Sequence, residues 1–124
     1  MDVYEAVTSR RAVRGFTDQP VSREAIERVL DAAAWSPSGS NIQPWKIYVL
    51  TGARLTELGI AREDWEARQR AAIANWNCFG APAALFCYID RDMGRPQWAD
   101  VGMYLQTVML LLRAEGLHSC TQMA

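Results

Sequence analysis

The sequence contains few of the residues from which metal sites and side-chain catalytic groups are usually built. It has one histidine, His118, and three cysteines, Cys78, Cys87 and Cys120, which form no CxxC pair. A single histidine and an odd, scattered set of cysteines match neither a zinc-site spacing nor a disulfide framework. Cys87 and Cys120 lie in apolar stretches, so we predict buried thiols in a reducing compartment, and no metal site.

Long apolar runs, a strong net charge and glycine-rich nucleotide motifs are also missing. Apolar runs such as Val108–Leu112 are far too short to span a bilayer, and no signal-peptide-like stretch begins the sequence. The net charge is -1 with a pI near 5.8, which gives no indication of a nucleic-acid or anionic-membrane surface. Neither GxGxxG nor a P-loop is present, so any nucleotide must be held in another way. We expect a cytoplasmic protein.

The 124 residues, half of them hydrophobic, fit a single domain over residues 1–124. Helix and strand patterns are mixed along the chain. Two helices are predicted to begin at the caps Asp2 and Ser22. Three further helices are predicted over residues 54–58, 62–76 and 97–115, and Gly116 ends the last of them. The predicted strands span 45–51 and 83–89, with the start of a third at 117–123. The strands are too few and too irregularly spaced for a doubly wound sheet, and the pattern predicts an α+β fold.

Three arginines occur within five residues near the N-terminus. Arg10, Arg11 and Arg14 stand where a helix gives way to extended chain. Their guanidinium groups repel one another unless an anion lies between them, and a phosphate matches their bidentate geometry. The alternative is a solvated basic helix end, favourably placed at the negative pole of the helix dipole.

A polar loop follows the second helix. It reads Pro-Ser-Gly-Ser-Asn-Ile-Gln-Pro-Trp over residues 37–45 and contains two hydroxyls, two amides and a glycine between two prolines. Such a loop is suited to hydrogen bonding along the edge of a flat heteroaromatic ring. An ordinary helix-to-strand connection is the alternative, because turns use the same residue types.

Taken together and in this order, the two segments resemble the FMN-dependent nitroreductase family. The first segment reads Ser-Arg-Arg-Ala-Val-Arg-Gly-Phe over residues 9–16, and the second is the loop at 37–45. Residues 100–107 (Asp-Val-Gly-Met-Tyr-Leu-Gln-Thr) are similar to the family's central dimer helix, and residues 116–122 to the segment after it. The resemblance covers nearly the whole chain. It implies a mixed sheet flanked by helices in an intertwined homodimer.

The resemblance also implies which residues would bind FMN at the subunit interface. Arg10, Arg11 and Arg14 would hold the phosphate and the polar edge of the flavin, with the Ala12 backbone nearby. The residues that would reach the flavin of the other subunit are Pro37, Ser38, Gly39 and Asn41.

A third set of residues falls where the family runs backbone past the flavin, close to its N5 atom. These residues are Thr121, Gln122 and Met123, although the family often has proline and glycine where this chain has Thr121 and Ala124. Trp98 and Gln106 are interpreted as helix and interface packing.

The implied chemistry comes from the cofactor. FMN would take a hydride from NAD(P)H and pass electrons to a flat acceptor such as a nitroaromatic or a quinone, with ping-pong kinetics. No side chain is assigned as acid, base or nucleophile. The alternatives are a specialised branch of the family (flavin-destroying, deiodinase-like or azoline-oxidising) and a non-catalytic dimerisation module that has lost the cofactor.

The chain departs from the family pattern in length. The family usually continues well beyond the position of Ala124, and it commonly has a longer segment around the step from Leu58 to Gly59. We expect that the sequence is part of a longer chain and lacks the family's C-terminal part. The alternative is a reduced form of the family.

Overall fold

The computed structural model describes residues 1–52 and 78–122, in which three helices flank one pair of strands. The predicted helices at 54–58 and 62–76, the step at Leu58–Gly59 and residue Met123 lie outside the described residues. In chain order the described elements are α1 (Val3–Ser9), α2 (Arg23–Ala33), β1 (Lys46–Thr51), β2 (Ala83–Tyr88) and α3 (Arg95–Ala114).

The first two helices begin at the caps that the sequence predicts. The Asp2 carboxylate accepts a hydrogen bond from the backbone N–H of Glu5 at 2.8 Å, and the Ser22 hydroxyl accepts one from Ala25 at 3.1 Å. Each cap satisfies one of the backbone donors that a helix leaves unpaired in its first turn. Both predicted starts are confirmed.

The hydrophobic core lies between α2, α3 and the sheet. Val29 and Ala33 of α2 are buried against Tyr104 and Val108 of α3. The Trp45 ring, which directly precedes β1, stacks on Tyr104 with ring centroids 4.6 Å apart and planes 14° apart. Burial raises the pKa of Tyr104 to about 12, so its ring serves as a neutral packing surface at ordinary pH.

β1 and β2 form an antiparallel pair. The register runs from Lys46 opposite Tyr88 to Thr51 opposite Ala83. Because side chains alternate between the two faces of a strand, Ile47 packs towards the core while Tyr48 points outward and stacks on Tyr88 at 5.4 Å. Helices packed on this antiparallel pair confirm the predicted α+β class.

Several predicted boundaries need correction. α3 begins at Arg95, two residues before the predicted start at Gln97, because Pro96 lies in the first turn, where a missing N–H costs nothing. Its stop is as predicted: Gly116 has a φ of +77°, and Leu117 donates to the Leu112 carbonyl at 2.8 Å. The strand expected from 117 is reduced to one parallel bridge at Ser119.

The prediction of buried cysteines is wrong, because the cysteines are only partly buried. Cys78, Cys87 and Cys120 are free thiols of intermediate exposure. Burial still raises the pKa of the Cys87 thiol, as expected for a group partly removed from water. Among the helices of the described residues, none has both the length and the apolarity that crossing a bilayer requires.

Candidate functional site

The arginine segment, residues 10–14, leaves the end of α1 as extended chain. Arg10 is the C-cap of α1, and its backbone N–H donates to the Ala6 carbonyl at 3.1 Å. One guanidinium nitrogen of Arg11 donates to the carbonyls of Thr8 and Arg10, at 2.7 and 2.8 Å. The Arg11 side chain therefore turns back over the last turn of α1, where the helix exposes its unpaired carbonyls.

Positive charge at this segment is not neutralised within the part of the chain that the structure describes. The ion pairs found there join other residues, and neither Arg10 nor Arg14 makes a side-chain hydrogen bond in it. Arg14 is exposed, and Arg10 is half-buried. Two free guanidinium groups on one short segment are suitable donors for a phosphate, so Arg10 and Arg14 fit the phosphate of FMN.

A parallel bridge joins the arginine segment to the post-helix segment, residues 117–122. Ala12 pairs with Ser119, and the N–H of Val13 donates to the Ser119 carbonyl at 3.2 Å. The Ser119 hydroxyl is buried and has no hydrogen-bond partner among the described residues. The structure thus brings the arginine segment to the post-helix segment at Ser119. Further along that segment, the Thr121 hydroxyl donates to the Met109 sulfur at 3.0 Å, and the Gln122 amide donates to the Cys120 sulfur at 3.1 Å.

Arg113, near the end of α3, is a contact residue that the sequence analysis missed. Its Nε donates to the Ser9 hydroxyl at 3.3 Å, and an Nη donates to the Leu117 carbonyl at 3.1 Å. The same Nη lies 3.4 Å from Nε2 of His118. From sequence, an arginine in the last turn of a helix indicates only a favourable interaction with the dipole.

The polar loop, residues 37–45, holds its shape through its own hydrogen bonds. The Ser38 hydroxyl accepts from the backbone N–H of Gln43 at 2.9 Å, and the Gln43 side-chain amide donates to the Ala34 carbonyl at 2.9 Å. Ser40, Asn41 and Gln43 have positive φ angles of 52°, 55° and 50°. Such backbone angles are costly for residues other than glycine and concentrate at binding sites and turns.

Asp100 fastens this loop to the start of α3, and its role was also missed. The residue is only 6% exposed, and its Oδ2 accepts from the backbone N–H of Gly39 at 3.3 Å. Sequence reasoning placed Asp100 only within a dimer-helix motif. Its burial is the feature that marks it as a structural partner of the loop, because a carboxylate is rarely buried without one.

A cleft of about 460 Å³ opens beside the loop. The Trp35 ring at its margin is 88% exposed, while the Ser36 hydroxyl is buried and lacks a partner among the described residues. Three of the predicted site residues, Pro37, Ser38 and Asn41, line the cleft. The other lining residues are Ala34, Trp35, Ser36 and Gln43.

The polar loop and the chain at the arginine segment contact opposite ends of α3. Asp100, which holds the loop, and Arg113, which contacts Ser9, are thirteen residues apart on this helix, or about 20 Å along its axis. Within one chain, the described structure therefore keeps these two groups of predicted site residues apart. Trp98 is 60% exposed and Gln106 is exposed on the same helix.

Comparison with known proteins gives one family. The model of the Nitroreductase family matches residues 7–124. The chain is 34% identical to a 4-nitrobenzoate reductase from Pseudomonas putida, in an alignment that covers 99% of this chain and 73% of that protein. The alignment extends over 165 positions, so at least 41 of them have no counterpart in these 124 residues.

Comparison with solved structures gives the same family. The fold is similar to an FMN- and NADPH-dependent nitroreductase from Sphigopyxis sp. strain HMH, with a TM-score of 0.83 and 36% identity over 97% of this chain and 74% of the other. It is also similar to an FMN-dependent nitroreductase from Mycobacterium smegmatis in complex with NADPH, with a TM-score of 0.84 and 27% identity, covering 94% of this chain and 72% of that one.

Proposed function

The chain belongs to the nitroreductase family, and from this premise we propose that it is an FMN-dependent oxidoreductase that uses NAD(P)H to reduce flat acceptors such as nitroaromatics or quinones. One observation carries the proposal. The bridge between Ala12 and Ser119 joins the backbone of the arginine segment to that of the post-helix segment, which supports a single site built from both. A ligand such as FMN would then have its phosphate at the arginine segment and its ring at the post-helix segment, on one surface.

At the phosphate end, Arg10, Arg11 and Arg14 would hold FMN, together with the backbone of Ala12. The guanidinium groups of Arg10 and Arg14 have no competing acceptor within the described residues. Each charge-assisted hydrogen bond to a phosphate contributes roughly 1.5–3 kcal/mol. A few such bonds are sufficient for a tightly held cofactor.

At the ring end, we assign the backbone of residues 121–123 of one subunit and the polar loop of the other. The loop residues are Pro37, Ser38, Gly39 and Asn41. The separation of about 20 Å along α3 supports the use of two chains, because one chain keeps its loop away from its own arginine segment. A rigid loop with positive φ angles presents its backbone N–H groups in a fixed direction.

This arrangement requires a homodimer, which the apolar surface of α3 favours. Trp98 is 60% exposed and Met103 is 41% exposed on this helix. Further along, residues 108–112 are apolar on every side, and a helix that is apolar all round belongs inside a protein or an interface. We therefore place α3 at the dimer interface, with one FMN site on each side.

When bound, FMN supplies the chemistry by accepting a hydride from NAD(P)H and passing electrons to the acceptor. The residues of this chain orient the cofactor, supply hydrogen-bond donors around it and keep water from the site. The exposed Trp35 ring and the largely polar cleft beside the loop provide an open margin against which a flat molecule could lie. NAD(P)H use and free thiols both suit the cytoplasm.

The visible spectrum of the purified protein tests this proposal. We expect a yellow protein, or one that becomes yellow on reconstitution with FMN. Its flavin bands should bleach when NADPH or NADH is added and return in air or with 4-nitrobenzoate. A colourless protein that takes up no FMN would overturn the proposal. Bound FMN without NAD(P)H oxidation would favour a non-catalytic module instead.

A further inference from the structure

Arg113 joins three parts of the molecule at the C-terminal end of α3. It donates to Ser9 at the end of α1 and to the Leu117 carbonyl, and it lies within hydrogen-bonding distance of His118. The side chain is half-buried, and the ion pairs of the described residues do not include it. The two hydrogen bonds that it donates therefore go to a hydroxyl and a backbone carbonyl rather than to a carboxylate.

The groups that Arg113 joins lie on either side of the proposed cofactor site. Ser9 directly precedes Arg10, and Leu117 and His118 directly precede Ser119, whose carbonyl accepts from Val13. The bridge at Ala12 and Ser119 is a single residue pair and makes one such hydrogen bond. Arg113 supports that pair from a third element, α3, which is also part of the core.

We propose that Arg113 is a positioning residue, which fixes the spacing between the phosphate-binding arginine segment and the post-helix segment at the flavin ring. This inference rests on the proposed function. A clamp of this kind favours a ligand that spans both segments, because the two parts of the site are already correctly spaced when the ligand arrives. For a ligand that contacts only one of the two segments, Arg113 should have little effect on the affinity.

The shape of the side chain matters more than its charge. The guanidinium group offers donors in a fixed, planar fork, so Nε and Nη can serve Ser9 and Leu117 together. A lysine ammonium is a single point on a flexible stem and cannot hold both acceptors in the same geometry. Arg113→Lys therefore keeps the positive charge while removing the clamp.

The test compares FMN with riboflavin, which lacks the phosphate, on flavin-free protein by flavin fluorescence. We expect Arg113→Met to weaken FMN binding about tenfold and riboflavin binding by less than twofold, and Arg113→Lys to behave like Arg113→Met. Arg28→Met is the matched control. It removes an arginine that binds Glu115 near the same end of α3 but contacts neither segment, so its affinities should equal those of the wild type.

A second measurement does not depend on riboflavin. Ser9→Ala should weaken FMN binding in the wild type and have no further effect in Arg113→Met, because both changes break the same contact. If Arg113→Lys binds FMN as tightly as the wild type, the positive charge of residue 113 is sufficient and the shape of its side chain is not required. Equal losses for FMN and riboflavin would show a general disturbance, and additive effects would separate Ser9 from Arg113. Each of these three results would overturn the inference about Arg113 and leave the proposed function standing. If the wild-type protein does not bind FMN, the proposed function and this inference both fail.

Discussion

The two ends of α3 hold their polar segments in different ways. At the start of the helix, the polar loop keeps its shape through internal hydrogen bonds and positive φ angles, with Asp100 as the one side chain on α3 that hydrogen-bonds to it. At the end, the arginine segment is extended chain that pairs with Ser119 and directly follows Ser9, which Arg113 contacts. One segment is shaped locally, while the other is placed by distant parts of the chain.

This difference matches the proposed tasks of the two segments. A loop that offers backbone groups to a ring edge needs a fixed local geometry, and its internal bonds supply that. Arginine side chains are long and flexible, so their backbone needs only to be placed correctly before they close on a phosphate. Substitutions at the two ends should therefore change different properties of the protein.

The largest effect is expected at the arginine end, from Arg14→Ala. Loss of one free guanidinium group from the phosphate site should weaken FMN binding by about 10- to 150-fold, the equivalent of 1.5–3 kcal/mol. Because Arg14 is exposed and makes no side-chain contact within the described residues, the fold and the dimer should persist. Fluorescence titration with FMN measures the affinity, and circular dichroism and sedimentation report on the fold and the mass.

Arg23→Ala is the charge-matched control for this substitution. Arg23 is a surface residue of α2 whose side chain is 86% exposed and pairs only with Glu27 on its own helix among the described residues. The variant has the same net charge as Arg14→Ala and should bind FMN as the wild type does. If Arg14→Ala also keeps full affinity, Arg14 does not belong to the phosphate site.

Locally determined features of the fold could be predicted from the sequence. The Asp2 and Ser22 caps and the Gly116 stop each depend on residues within five positions of one another, and all three are confirmed. The start of α3 was missed because Pro96 indicates a turn as readily as a first helical turn. Composition and periodicity were sufficient for the α+β class.

The candidate site could be predicted only in part, for a physical reason. Its two motifs are continuous in sequence, so they could be recognised without a structure. Asp100 and Arg113 act across 61 and 104 residues of chain, respectively, and neither lies in a motif that indicates its partner. Contacts of this range are created by packing of α3 against α1 and the loop, which no local pattern encodes.

A smaller effect is expected at the loop end, from Asp100→Ala. The change removes the acceptor for the N–H of Gly39, and the loss of such a partly buried hydrogen bond costs about 0.5–1.5 kcal/mol of unfolding free energy. Hydrogen exchange should quicken in the peptide covering residues 37–45 and stay unchanged over residues 10–14. Urea unfolding, followed by tryptophan fluorescence, gives the free energy.

Asp100→Asn sharpens this result, since an amide oxygen can still accept from Gly39. We expect it to lose less than half of the unfolding free energy that Asp100→Ala loses. A stable Asp100→Ala variant with unchanged exchange over residues 37–45 would show that the loop holds its shape without α3. Faster exchange over the arginine segment would show that the two ends of the helix are not independent.

The smallest effect is a gain in stability from Ser40→Gly. A left-handed backbone costs an ordinary residue roughly 1–2 kcal/mol, which glycine avoids, but glycine loses about 0.5–1 kcal/mol through the greater freedom of the unfolded chain. The net gain in unfolding free energy should therefore lie between about 0 and 1.5 kcal/mol. Ser38→Gly is the control, because Ser38 has an ordinary φ of -147° and its hydroxyl accepts from Gln43. It should lower stability, so opposite signs at two serines two residues apart would establish that backbone geometry, rather than composition, gives this loop its shape.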